Sequence, residues 1–179
     1  TKCYHTNKAE QVVREFIWIK PDIFVIYDRV VSDKAEYAKR WLFHTASAPT
    51  MNGKAEFSEA SQGGKSICRT LLPKKAVVEF VGGEGKQFWC DGKNWAIPEY
   101  KKSDAASKRY RNTPRNNHPL VGQWRVEVSP KKAATSDHFL HIIQVGDESL
   151  MALPQTDCKD EKDRVVLKFN YGNKGYELI

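Results

Sequence analysis

Residues 81–95 read VGGEGKQFWCDGKNW, where glycines, a lysine and two tryptophans crowd together. Glycine-rich loops can wrap phosphate in backbone N–H groups, so the spacing decides whether this one does. A phosphate loop requires Gly, four residues, then Gly-Lys-Ser/Thr. Here Gly85-Lys86 is preceded at that distance by Phe80 and followed by Gln87. A dinucleotide fingerprint starting at Gly83 needs glycine at position 88, where Phe88 stands, and a helix after it. The residues after Phe88 are instead Trp89 and Cys90, and then an Asp91-Gly92 turn. Both phosphate motifs fail, leaving a sugar-stacking surface or a turn between strands.

The second group with chemical potential is basic. Between residues 100 and 118 lie Lys101, Lys102, Lys108, Arg109, Arg111 and Arg115, with Asp104 the only acid among them. They account for most of the net charge of +7. Concentrated positive charge attracts polyanions through steering and counterion release, without saying which polyanion. Trp89 and Trp95, flanking the Asp91-Gly92 turn, could add stacking surfaces. Trp124 alternates with apolar neighbours and is expected in the core.

Catalytic signals are poor. His138-x-x-His141 has the look of a metal pair, but residues three apart on a strand point to opposite faces. His44, in the phrase Trp41-Leu42-Phe43-His44-Thr45, is the histidine placed where it could line a cleft. No G-x-S-x-G elbow is present. Asp28, Asp91, Glu127 and Asp147 could pair only if the fold brought them together. Cys3, Cys68, Cys90 and Cys158 include no CxxC, and buried free thiols are the expectation. No catalytic residue, metal or cofactor is assigned.

The elements that must position these residues are strands. The 179-residue chain is 40% hydrophobic and 28% charged, within the range of one globular domain. No apolar run approaches the ~20 residues of a membrane span. VVREFIWIK (12–20) and DIFVIYDRVV (22–31) form a hairpin around Lys20-Pro21-Asp22, and 37–46 is expected to continue it. Further strands are predicted over 54–60, 65–73, 76–83, 87–92, 123–130, 138–146 and 163–172, with a terminal YELI. The expectation is an all-β fold: an antiparallel β-sandwich of about ten or eleven strands, one domain over 1–179 with a basic insert at about 99–121.

Several phrases then occur in a telling order: REFIWIKPDIFVIYDRV, YAKRWLFHTASAPTMNG, CRTLLP, VGGEGKQFWCDGKNW and GQWRVEVSPKKAATSDHFLHIIQVGD. Over roughly residues 10–147 the chain resembles the C-terminal β-rich portion of heparinase II/III-like polysaccharide lyases. The resemblance implies a fragment of a secreted or periplasmic bacterial enzyme whose N-terminal α/α toroid is absent. Such enzymes cleave uronate-containing acidic glycans by β-elimination. Their catalytic residues come before the first of these phrases, so none is carried onto this chain. The implied partners are an acidic polysaccharide and the toroid; no nucleic acid or membrane is expected. Substrate contact is expected from Lys101, Lys102, Arg109 and Arg111, with Trp89, Trp95 and His44. A stand-alone carbohydrate- or polyanion-binding module is the alternative.

Overall fold

The computed structural model describes residues 8–95, 122–161 and 164–179, and among these there is no helix. The strands are β1 (Ala9–Ile19), β2 (Ile23–Ser32), β3 (Trp41–Thr45), β4 (Thr50–Met51), β5 (Glu56–Ser61), β6 (Gly64–Leu72) and β7 (Ala76–Gly82). After them come β8 (Trp89–Cys90), β9 (Lys93–Asn94), β10 (Trp124–Pro130), β11 (Ser136–Asp147), β12 (Thr156–Asp160), β13 (Val165–Tyr171) and β14 (Lys174–Leu178). All pairings are antiparallel. The expected all-β fold is present, with fourteen strands among the described residues rather than ten or eleven. The excess comes from strands too short or too polar to show in a hydrophobic pattern, such as Thr50–Met51 and TDCKD at 156–160.

A six-stranded sheet, ordered β1-β2-β11-β6-β5-β4, forms the middle layer. The hairpin around Lys20-Pro21-Asp22 pairs Ile19 with Ile23 and runs back to Ala9 and Ser32. β2 is apolar on both faces because both are covered. Ile23 and Val25 point into one cluster with Ile67, Leu72, Leu140, Ile142, Leu167 and Phe169. Phe24, Ile26 and Val30 point the other way, against Trp41, Phe57, Cys68, Val126, Val128, Phe139 and Ile143. The first cluster is closed by the sheet β12-β13-β14 and the second by β3-β10-β7, giving three layers. Burying each large side chain here contributes about 1.5–3 kcal/mol.

β3 does not continue the first hairpin. It crosses to the outer sheet and pairs with β10, while β11 takes the place beside β2. β11 presents two large apolar faces, Leu140 and Ile142 on one and Phe139 and Ile143 on the other, so only a central position can bury both. The same alternation puts His138 and His141 on opposite faces. His138 meets the Tyr27 ring edge-on at 5.6 Å, and His141 stacks on Trp41.

Candidate functional site

Three strand ends meet at one edge of the outer sheet. Trp124 pairs with Thr45 of β3 on one side and with Gly82 of β7 on the other. The backbone N–H of Gly83 donates to the carbonyl of Gln123 at 3.3 Å. The Trp124 indole lies over these glycines. A Cβ added to Gly82 would stand 2.7 Å from the ring, and one added to Gly83 would stand 2.9 Å from it, with φ +78° there as well. The glycines therefore make room for an indole and a turn. Trp124 is correspondingly half-buried at this edge, while Val126 and Val128 of the same alternation are fully buried between the sheets.

Beyond Gly83 the chain turns through Lys86 into the small hairpin β8–β9. Asp91 (φ 49°) and Gly92 (φ 79°) form its tip, the paired left-handed conformations that suit a two-residue hairpin turn. Asn94 holds the base: its Oδ1 accepts from the Phe88 N–H at 2.7 Å, and its amide donates to Gln87 Oε1 at 3.2 Å. Trp95 donates its indole N–H to the Cys90 carbonyl at 3.0 Å and remains 54% exposed. Lys93 Nζ stands 3.4 Å from the Trp95 ring centre, and Lys86 Nζ stands 5.6 Å from that of Trp89. The hairpin thus presents two ammonium groups over indole faces, an arrangement that favours anions over neutral rings. Cys90 is exposed here, not buried as its apolar neighbours suggested, because the hairpin stands outside the three layers.

His44 is exposed on the outer face of β3, opposite Arg125. The described chain resumes at Gly122 beside it; a Cβ there would lie 3.6 Å from that of His44. Arg125 is committed along the same outer face to Glu127, with Nε donating at 2.7 Å, and Arg40 approaches the same carboxylate at 3.4 Å. Two guanidinium groups thereby screen a carboxylate that is 8% exposed. Of the other candidate carboxylates, Asp28 is engaged by Arg14 and Asp147 by Ser149, and Asp91 stands at the tip of the β8–β9 hairpin. Among the described residues His44 stands beside Gly122 at this edge, and the Trp89–Trp95 hairpin follows Gly83 along the chain. Lys101, Lys102, Arg109 and Arg111 lie outside the described residues, as does the rest of the basic insert at 99–121. Among the described residues no three His, Cys, Asp or Glu side chains are grouped to hold a metal ion. The described edge can bind and orient charge; it holds no evident acid–base pair.

His141, considered in the sequence only as half of a metal-like spacing, is a buried polar group. His141 is fully buried, its Nδ1 3.1 Å from Thr70 Oγ1, and its ring is 3.7 Å from that of Trp41 at 19°. Its position between Phe139 and Ile143 on an alternating strand was the available signal.

The architecture is that of a three-layer antiparallel β-fold, and the solved structures it resembles include a heparan sulfate lyase and a heparinase III. The heparan sulfate lyase HepC from Pedobacter heparinus matches with a TM-score of 0.55 and 15% identity, covering 96% of this chain and 24% of that one. A heparinase III solved with methylated lysines matches with a TM-score of 0.59 and 17% identity, covering 97% and 23%. A mutant of HepC gives 0.54 and 15%. No family model and no curated protein matches the sequence. The likeness is one of fold, and the chain spans about a quarter of the length of the structures it matches, consistent with a C-terminal portion.

Proposed function

We propose that this chain is the C-terminal β-domain of a heparinase II/III-like polysaccharide lyase. It supports β-elimination of uronate-containing glycans by a catalytic toroid that precedes it in the parent protein, in the periplasm or outside the cell. The observation that carries the reading is the coverage: nearly all of this fold corresponds to about a quarter of a heparan sulfate lyase and of a heparinase III. The β-domain's own contribution is electrostatic. Lys101, Lys102, Arg109 and Arg111, with the lysine-capped Trp89 and Trp95 and with His44, contact the anionic chain.

The test measures heparin, heparan sulfate, chondroitin and alginate binding by the 179-residue chain together with ultraviolet absorbance of unsaturated uronate. Binding without product formation supports the accessory domain. Product formation would place a complete catalytic site within these residues and overturn it. Unchanged heparin affinity after replacing the four basic residues with alanine would remove their role. A stand-alone module is favoured instead if neutral oligosaccharides alone quench tryptophan fluorescence.

A further inference from the structure

The free face of β1 is unusual for a domain surface. Among the described residues β1 is an edge strand of the middle sheet, paired with β2 alone. On the face shared with Phe24 it carries Val12, Arg14, Phe16 and Trp18, and Val12, Phe16 and Trp18 are 45%, 59% and 53% exposed. The three-stranded outer sheet, packed over β2, β11, β6 and β5, leaves this margin open. The rings are held in place. Trp18 stacks on Phe24 at 14°, Phe16 packs on the same ring at 5.6 Å, and the Trp18 indole N–H donates to the Pro21 carbonyl at 3.0 Å. A long edge strand with an exposed apolar face invites association unless it is covered.

We propose that this β1 face, centred on Phe16 and Trp18, is the surface on which the remainder of a longer polypeptide docks. The inference rests on the reading of the chain as one domain of a larger lyase. Two observations select this occupant. First, the fold occupies 24% of the HepC chain, so most of such a polypeptide lies outside it. Second, the polar groups of the face are engaged from within: the Trp18 N–H by Pro21, the Arg14 guanidinium by both oxygens of Asp28 at 2.7 Å, and the Lys20 ammonium by the Trp18 ring, 5.2 Å from its centre. A sugar held on an aromatic platform needs convergent hydrogen-bonding groups around the rings. An apolar face with its hydrogen bonds internally closed suits the dry centre of a protein interface.

Hydroxyl-radical footprinting tests this in two forms of the protein, the 179-residue chain and the complete polypeptide its gene encodes. Phe16 and Trp18 are expected to label readily in the first and several-fold more slowly in the second. Equal labelling in both forms overturns the proposal, as does a gene that encodes nothing beyond these residues. Protection of the 179-residue chain that grows with its own concentration assigns the face to a second copy, and protection by heparin oligosaccharides assigns it to a glycan; either result overturns the proposal. Phe16→Glu with Trp18→Glu should leave the thermal midpoint of the 179-residue chain near its parent value and lower that of the complete polypeptide. If that variant does not fold, the footprint of the unaltered protein still decides. Protection in a complete polypeptide without uronate elimination keeps the docking face and removes the lyase reading; elimination without protection does the reverse.

Discussion

The imidazole of His141 lies flat against the indole of Trp41, 3.7 Å between ring centres and 19° from parallel, tying the middle sheet to the outer one. Burial is the main reason its pKa falls from 6.5 to about 3, and the positive charge of Arg14 adds to the effect. The ring is therefore neutral in the folded protein under ordinary conditions. The unfolded chain takes up a proton here as pH falls through 6.5, and the folded chain does not until about 3. This contribution to stability is whole above pH 6.5 and is lost progressively down to pH 3. Between pH 7 and pH 5 it amounts to about 2 kcal/mol. Urea unfolding at the two pH values checks this, with His141→Phe expected to flatten the difference by that amount. An unchanged difference in the variant would show that His141 is not the linked group.

Gly83 and Gly85 both have positive φ, 78° and 74°, but only Gly83 faces the Trp124 ring. Gly85→Ala should cost about 1 kcal/mol through backbone strain alone. Gly83→Ala should cost more, because its Cβ would meet the indole at 2.9 Å. In a Trp124→Ala background the extra cost of Gly83→Ala over Gly85→Ala should disappear. Equal costs for the two glycine changes, read from denaturation midpoints, would contradict the contact.

Arg14 grips Asp28 with two hydrogen bonds of 2.7 Å, and Asp28 is 5% exposed. Arg14→Met leaves that carboxylate without its fork and should cost about 1–3 kcal/mol in urea unfolding. Changing Asp28→Leu at the same time should return part of the loss, since the pair carries its own desolvation penalty. A neutral Arg14→Met would mean that solvent replaces the guanidinium.

The thiols should separate by rate. In a Cys3→Ser chain, Cys90 is expected to react with a disulfide reagent at once, being exposed. Cys158 should be slower, because partial burial raises its pKa. Cys68 should react only on unfolding: it is fully buried, and burial pushes its thiol far above the usual range. Early labelling of Cys68 would indicate that the cluster around Phe57 and Phe139 opens locally.

What the sequence determined by itself was local. Alternation of apolar and polar residues, Lys20-Pro21-Asp22, Asp91-Gly92 and the opposed faces of His138 and His141 all depend on neighbours along the chain, and all are found in the structure. Failure of the phosphate spacing around Gly85 was equally legible, because that chemistry requires a fixed local geometry. Tertiary structure decided the rest. Which sheet receives β3, why Gly82 and Gly83 must be glycine, why Cys90 is exposed and Cys68 buried, and why Phe16 and Trp18 are left uncovered all depend on pairings between distant strands. Alternation tells which residues share a face; it does not tell what lies against that face. That is settled only when the three sheets stack, because β11 must sit centrally to bury both its faces and the outer sheet is too narrow to reach β1.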